Sequence, residues 1–307
     1  MKIEIDPGAG FCFGVQRAIQ LAEMELDNGQ ELFSLGQIVH NESEEKRLND
    51  LGMKTITYKD FGELHEKTVL IRAHGEPPST YDTANKNRLT LIEATCPIVT
   101  KLQQKIRKVW IESRKEDLQI VIVGKKAHPE VIGLAGQTNF QAIIIESLSD
   151  IEKVDHGKSV YIFAQTTVDA DFFEEVVKRI YVHQSRRKDE TDPAQFALMG
   201  GGNPRGREVT VQKSICNHVK NRKEQMIQFA REHDLVIFVG GKKSSNGQYL
   251  YGLCRLENLN SVFIENEAVL KPEWFAGCKS VGITGATSTP PWLLEKVKQH
   301  IKTMIKA

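Results

Sequence analysis

Hydrophobic positions along the chain fall into two alternating rhythms. Short runs nearly continuous in Val, Ile and Leu (LFSLGQIV, TVLIRAHG, LQIVIVG, QAIIIE, SVYIFAQT, DLVIFVGG, SVFIE and SVGITGAT) predict strands buried on both faces, as in parallel sheets. Between them, VQRAIQLAEMEL, IVTKLQQKIRKVW, FFEEVVKRIYV and NRKEQMIQFAREH place apolar residues at helical spacing. The alternation predicts an α/β class built from several βα units. One segment breaks the rhythm: residues 186–210, RRKDETDPAQFALMGGGNPRGREVT, are rich in charge, Gly and Pro and read as a surface-loop insertion. Its GGGNPRG lacks the preceding strand and following helix that a phosphate-cradling glycine loop needs.

Cysteines expose a repeat within this pattern. Cys12 precedes GVQRAIQLAE, Cys96 precedes Pro97 and a second helical run, and Cys216 precedes NHVKNRKEQM. Each thiol is thereby predicted at a helix amino terminus, where unpaired N–H groups and the helix dipole favour the thiolate. Downstream of each cysteine, two strand-end polar clusters recur: His40 and His74 in the first third; His128 with Glu130, then Thr166, in the second; Ser244, Ser245 and Asn246, then Ser288, in the last. Ligands of parallel α/β units bind at these strand ends. The reading is three similar α/β modules, 1–97, 98–213 (with the insertion) and 214–307, in a pseudo-threefold arrangement around a centre where the three thiolates meet, the C-terminal helix packing on the first module.

Charge and composition narrow the chemistry. Forty-one basic residues against 40 acidic ones give a net charge of +1, so no global field gathers nucleic acid or an anionic membrane. MKIEIDPGAG lacks the layout of a secretory signal, and no apolar run approaches the roughly 18 residues of a membrane span, so the expected location is the cytoplasm. Five cysteines without a C-x-x-C pair fit neither a disulfide framework nor a zinc ribbon; Cys254 and Cys278 lie outside the repeat and read as ordinary thiols. Three thiolates from distant segments suit zinc or an iron–sulfur cluster. Structural zinc usually takes four protein ligands with a close pair, whereas a 4Fe-4S cluster held by three cysteines keeps one iron open.

The ordered motifs GFCFGV, GQIVHN, AHGEPP, ATCPIV, HPEVIGLAGQT, QTT, SICNHVKNR, GGKKSSNG and TSTP, from residue 10 to 290, closely resemble the LytB family of 4-hydroxy-3-methylbut-2-enyl diphosphate reductases. The resemblance implies an iron–sulfur oxidoreductase of non-mevalonate isoprenoid biosynthesis. It would carry a 4Fe-4S cluster with one non-cysteine-ligated iron on Cys12, Cys96 and Cys216, and accept electrons from a ferredoxin- or flavodoxin-type donor. It places the diphosphate on His40, His74, His128, Ser244, Ser245, Asn246 and Ser288, proton supply on Glu130, and Thr166 near the substrate hydroxyl, with Glu130, Thr166 and His128 as the catalytic set. The third cysteine motif reads CNHV where many relatives carry CxAT, so His218 and Val219 depart from the pattern, and Thr287 competes with Ser288 in GATSTP.

Overall fold

The protein is described by a computed structural model covering residues 1–112, 117–155, 157–185, 208–242 and 244–306. The first part of the chain runs β1 (Lys2–Ile5), α1 (Phe13–Asp27), β2 (Leu32–Leu35), α2 (Glu42–Asp50), β3 (Lys54–Ile56), α3 (Tyr58–Glu63), β4 (Thr68–Ile71), α4 (Pro78–Lys86) and β5 (Thr90–Glu93). Then follow α5 (Pro97–Glu112), β6 (Leu118–Val123), α6 (Pro129–Gly136), β7 (Ile143–Ile145), β8 (Ser159–Ala164), α7 (Ala170–Ser185) and β9 (Val209–Val211). The remainder is α8 (Asn217–Arg231), β10 (Leu235–Val239), α9 (Ser245–Glu257), β11 (Ser261–Ile264), β12 (Ser280–Gly285) and α10 (Pro291–Lys306).

These strands form three four-stranded parallel sheets, ordered β3-β2-β4-β5, β7-β6-β8-β9 and β11-β10-β12-β1. All three share one plan, in which the first and third strands are central neighbours and the second and fourth are edges. In the last sheet the fourth place is filled by β1, which pairs Lys2 with Ser280 and Ile5 with Ile283. The α/β class with three similar sheets is as predicted. The chain divides into two compact units: Met1–Ala73, Ala84–Cys96 and Asn217–Ala307, which holds two sheets, and His74–Thr83 with Pro97–Cys216, which holds the β6–β9 sheet.

Continuous apolar runs are explained by double coverage of the strands. In β10, Leu235, Ile237 and Val239 face a core closed by Leu293, Leu294 and Val297 of α10, while Val236 and Phe238 face Met226 and Ala230 of α8 and Leu250 of α9. In the second unit, Val121 and Val123 pack with Phe173 and Val176 of α7, and Ile120 and Ile122 with Leu102 and Ile106 of α5. A strand buried on both faces cannot alternate with polar residues.

Two predicted boundaries shift. The run LFSLGQIV continues as a strand only to Leu35, because Gly36 turns at φ +78° against the Arg72 guanidinium, within 2.5 Å of where a Cβ would stand. Ile38 and Val39 are nevertheless buried in the core, outside any strand. The predicted insertion 186–210 ends in a strand, since Val209–Val211 pairs with β8; residues 186–207 lie outside the described residues. The C-terminal helix α10 packs on β1 and β12 of the last sheet.

Candidate functional site

Between the first and third strands of each sheet the chain's connections leave in opposite directions, which opens a crevice at their carboxyl ends. His40 follows β2 and His74 follows β4; His128 and Glu130 follow β6 and Thr166 follows β8; Ser244 and Asn246 follow β10 and Ser288 follows β12. Every predicted polar residue therefore stands beyond one of the two central strands. Each repeated cysteine instead follows the fourth strand and immediately precedes a helix: Cys96 lies between β5 and α5, Cys216 between β9 and α8, and Cys12 between β1 and α1. All three are half-buried.

In the first unit, α1 begins against Cys96. A Cβ on Gly14 would stand 2.9 Å from the Cys96 Sγ, so only glycine admits this approach of the helix's first turn to the thiol. Cys12 is the N-cap residue of α1, and its N–H points to the Thr287 carbonyl at 3.4 Å. Asn246 Nδ2 donates to the Thr287 hydroxyl at 3.4 Å. Ser244 caps α9 by accepting from Gly247 N at 3.1 Å, and its hydroxyl lies 3.2 Å from that of Ser288. A Cβ on Gly241 would come within 2.5 Å of the His40 carbonyl, so the GG pair lets the β10 loop run against the residue that precedes α2. Burial, and then the Arg72 charge, push the His40 pKa down and favour its neutral form. Cys12, Cys96, His40, Ser244, Asn246 and Ser288 thus all belong to this unit.

In the second unit, Glu130 is buried at 2% exposure. It accepts from the Thr166 backbone N–H at 2.6 Å and from the Thr166 hydroxyl at 2.9 Å. Desolvation outweighs both hydrogen bonds and pushes its pKa up to about 7. The Thr166 carbonyl accepts from Cys216 N at 2.9 Å, so one threonine links the carboxyl to the third cysteine. His128 caps α6, its Nδ1 accepting from Glu130 N at 3.2 Å, which leaves the proton on Nε2. The His74 and His128 rings meet edge to face at 5.2 Å.

Of the remaining sequence readings, the side chain of Ser245 lies outside the described residues. His218 is exposed and Val219 half-buried on the first turn of α8. Cys254 is sealed in the core with Sγ 3.3 Å from Ser261 Oγ, and Cys278 lies 3.5 Å from the Trp274 carbonyl; burial raises both thiol pKa values, as suits unreactive thiols. Thr287 is placed by the structure between Cys12 and Asn246, whereas the sequence offered it only as a rival of Ser288. Asp6 and Arg222 were missed altogether, although their buried ion pair at 2.7 Å lies just before the Cys12 loop; a charged pair so distant in sequence leaves no local pattern to read.

Known proteins resemble this chain over nearly its whole length. A family profile described as LytB protein matches residues 3–302. The 4-hydroxy-3-methylbut-2-enyl diphosphate reductase of Bacteroides thetaiotaomicron is 45% identical over 306 residues, covering 100% of this chain and 99% of that one. The reductase of Chlorobium phaeovibrioides is 45% identical over 314 residues, with 98% and 99% covered. Among solved structures, (E)-4-hydroxy-3-methyl-but-2-enyl diphosphate reductase, described as the terminal enzyme of the non-mevalonate pathway, superposes with a TM-score of 0.72 at 38% identity, covering 98% of this chain and 99% of that one. The E-1-hydroxy-2-methyl-but-2-enyl-4-diphosphate reductase of Plasmodium falciparum does so with a TM-score of 0.76 at 25% identity, covering 97% and 87%. With sheet plan, motif placement and full-length similarity in agreement, the chain belongs to the LytB family.

Proposed function

We propose that this chain reduces 4-hydroxy-3-methylbut-2-enyl diphosphate to isopentenyl and dimethylallyl diphosphates, the last step of non-mevalonate isoprenoid synthesis. Two electrons and two protons are consumed, the allylic C–O bond breaks, and water leaves. The observation that carries this reading is the match to reductases over essentially the whole chain.

Cys12, Cys96 and Cys216 are assigned as ligands of a 4Fe-4S cluster with one iron lacking a cysteine. The donor set fits: each thiol is half-buried and stands just ahead of a helix, and Gly14 keeps the space beside Cys96 free of a side chain. When bound, such a cluster supplies the electrons and a Lewis-acidic iron at the leaving hydroxyl.

The protein's own groups bind the anion and deliver protons. His128 and Ser244 cap α6 and α9, so a diphosphate near them meets helix N-termini as well as side chains. His128 offers Nε2–H; His40, kept neutral, also offers a ring N–H; and His74, Ser245, Asn246 and the Ser244–Ser288 hydroxyl pair complete the assigned set. Glu130 with a pKa of about 7 holds a proton through a large part of the time at neutral pH. Once protonated on Oε2 it donates to the Thr166 hydroxyl, which rotates and passes its own proton to the substrate hydroxyl. A ferredoxin- or flavodoxin-type donor, a cytoplasmic setting and the three modules around one centre belong to the same reading; among the described residues, no helix is long and apolar enough to cross a membrane.

The test is anaerobic turnover. Protein purified without oxygen is expected to be brown and, with a reduced one-electron donor, to convert the allylic diphosphate to both products. A colourless, zinc-loaded protein with no such turnover overturns the reading.

A further inference from the structure

We infer that Arg222 is a positioning residue that fixes the loop carrying Cys12. The inference rests on Cys12 being a cluster ligand, and its structural basis lies wholly within the first compact unit.

Arg222 sits in the second turn of α8 and is 1% exposed. Its Nη2 donates to the Thr284 hydroxyl at 2.6 Å and to the Gly285 carbonyl at 2.9 Å, at the carboxyl end of β12. Its Nη1 lies 2.7 Å from Asp6 Oδ2, and the Thr284 hydroxyl donates to that same carboxylate oxygen at 2.7 Å. Asp6 and Thr284 are themselves 3% and 0% exposed. Two hydrogen bonds from Nη2, together with the Asp6 carboxylate in ion-pair contact with Nη1 outside hydrogen-bond geometry, orient this buried guanidinium.

What this triangle holds is the turn between β1 and Cys12. Asp6 Oδ1 accepts from Gly8 N at 2.9 Å, and Ala9 N donates to the Asp6 carbonyl at 2.9 Å, which closes the turn. A Cβ on Gly8 would stand 3.0 Å from Arg222 Nη1 and 2.9 Å from Gln225 Oε1, so the turn lies directly on α8. Gly10 then takes φ +114°, and Cys12 N reaches the Thr287 carbonyl. From α8, Arg222 therefore joins two segments that bear assigned site residues: the turn ending at Cys12 and the β12 end leading to Ser288.

A buried ion pair adds little net stability but is costly to break on one side. Its use here is to make the Cys12 position unique, so the test must separate placement of Cys12 from loss of the fold. Arg222→Lys keeps the buried charge yet lacks the fork that sets one nitrogen beside Asp6 and the other against Thr284 and Gly285. Full-length holoprotein, wild type and variant, is treated anaerobically with an iron chelator and pulsed with iodoacetamide, and peptide mass spectrometry reads the alkylation rates of Cys12 and Cys96. The expected result is an unchanged melting profile with Cys12 alkylated about tenfold faster relative to Cys96, equivalent to losing roughly 1.4 kcal/mol of local stabilisation. A Cys12 rate equal to wild type, or equal acceleration at both cysteines, overturns the inference. If Arg222→Lys does not fold, the pair Asp6→Asn with Arg222→Met, which removes both buried charges, is read with the same two outcomes. Iron analysis of the starting protein reports separately on the cluster assignment.

Discussion

Glu130→Gln tests the proton path and a thermodynamic cost together. Glu130 is buried, and desolvation lifts its pKa from 4.5 to about 7. At 1.36 kcal/mol per unit, that shift corresponds to about 3 kcal/mol of preference for the protonated form. Between these two values the native protein holds a proton that the unfolded chain has released. Stability therefore falls as pH rises from 4.5 towards 7, and the whole cost of about 3 kcal/mol is in place above 7. Glutamine keeps the shape: its Oε1 accepts from Thr166 N and its Nε2 donates to the Thr166 hydroxyl, so both contacts of the carboxylate survive. Without the ionisation cost, the variant should melt several degrees above wild type at pH 8, with the difference shrinking to nothing near pH 4.5. Turnover should fall by about two to four orders of magnitude, the usual contribution of a positioned general acid, with KM little changed. Wild-type kcat/KM should fall as pH rises through about 7, a limb missing in the variant. The limb in kcat should lie higher, because the bound diphosphate raises the carboxyl pKa further. Parallel melts and rate profiles across pH provide both readings. A variant that melts with the wild-type pH dependence, or turns over at the wild-type rate, refutes the reasoning.

Three further outcomes are expected. Cys12→Ser, Cys96→Ser and Cys216→Ser should each abolish the brown colour and lower bound iron, while Cys254→Ser, sealed away from the assigned site, should leave both intact; colour and iron analysis decide. Gly14→Ala places a methyl carbon 2.9 Å from the Cys96 Sγ and should reduce cluster occupancy without lowering the melting temperature by more than a few degrees, read by iron content beside a thermal scan. Ser288→Ala should raise KM for the diphosphate severalfold with kcat nearly kept, whereas Thr287→Val, which removes the acceptor of Asn246, should raise it less; steady-state kinetics separate the two.

Each of the eight strands read from apolar runs is present: six are central strands, which double-sided burial makes largely hydrophobic, and β7 and β11 are edges that carry apolar runs of their own, III and SVFI. The four that escaped notice, β1, β3, β5 and β9, are all edges, three or four residues long, and KIEI, KTI and TLIE mix in the polar residues that a half-covered strand tolerates. The missed edges matter, since three of them lead to the cysteines. Positions of the site residues at strand ends were legible, being fixed by local connectivity. Their contacts were not: the Glu130–Thr166 pair depends on β6 and β8 becoming neighbours, and the Gly14–Cys96 approach on α1 meeting the end of a strand from a different sheet than β1. Phe13 shows the limit of reading by composition. Apolar and adjacent to Cys12 in the sequence, it is nevertheless 68% exposed, while Phe11 packs against the core that Cys96 also touches.

The pairing of β1 with β12 sets an order of assembly. During synthesis the first strand emerges early but has no sheet to join until the residues of β12 have left the ribosome, while the β2–β5 sheet can close from contiguous chain. The turn that presents Cys12 is anchored to Thr284 and Thr287, so it too waits for β12 and the residues just after it. A nascent chain interrupted before β12 would carry Cys96 and Cys216 on formed supports and Cys12 on a loose end. If the three cysteines hold a cluster as proposed, its loading would follow the joining of β12 to the last sheet.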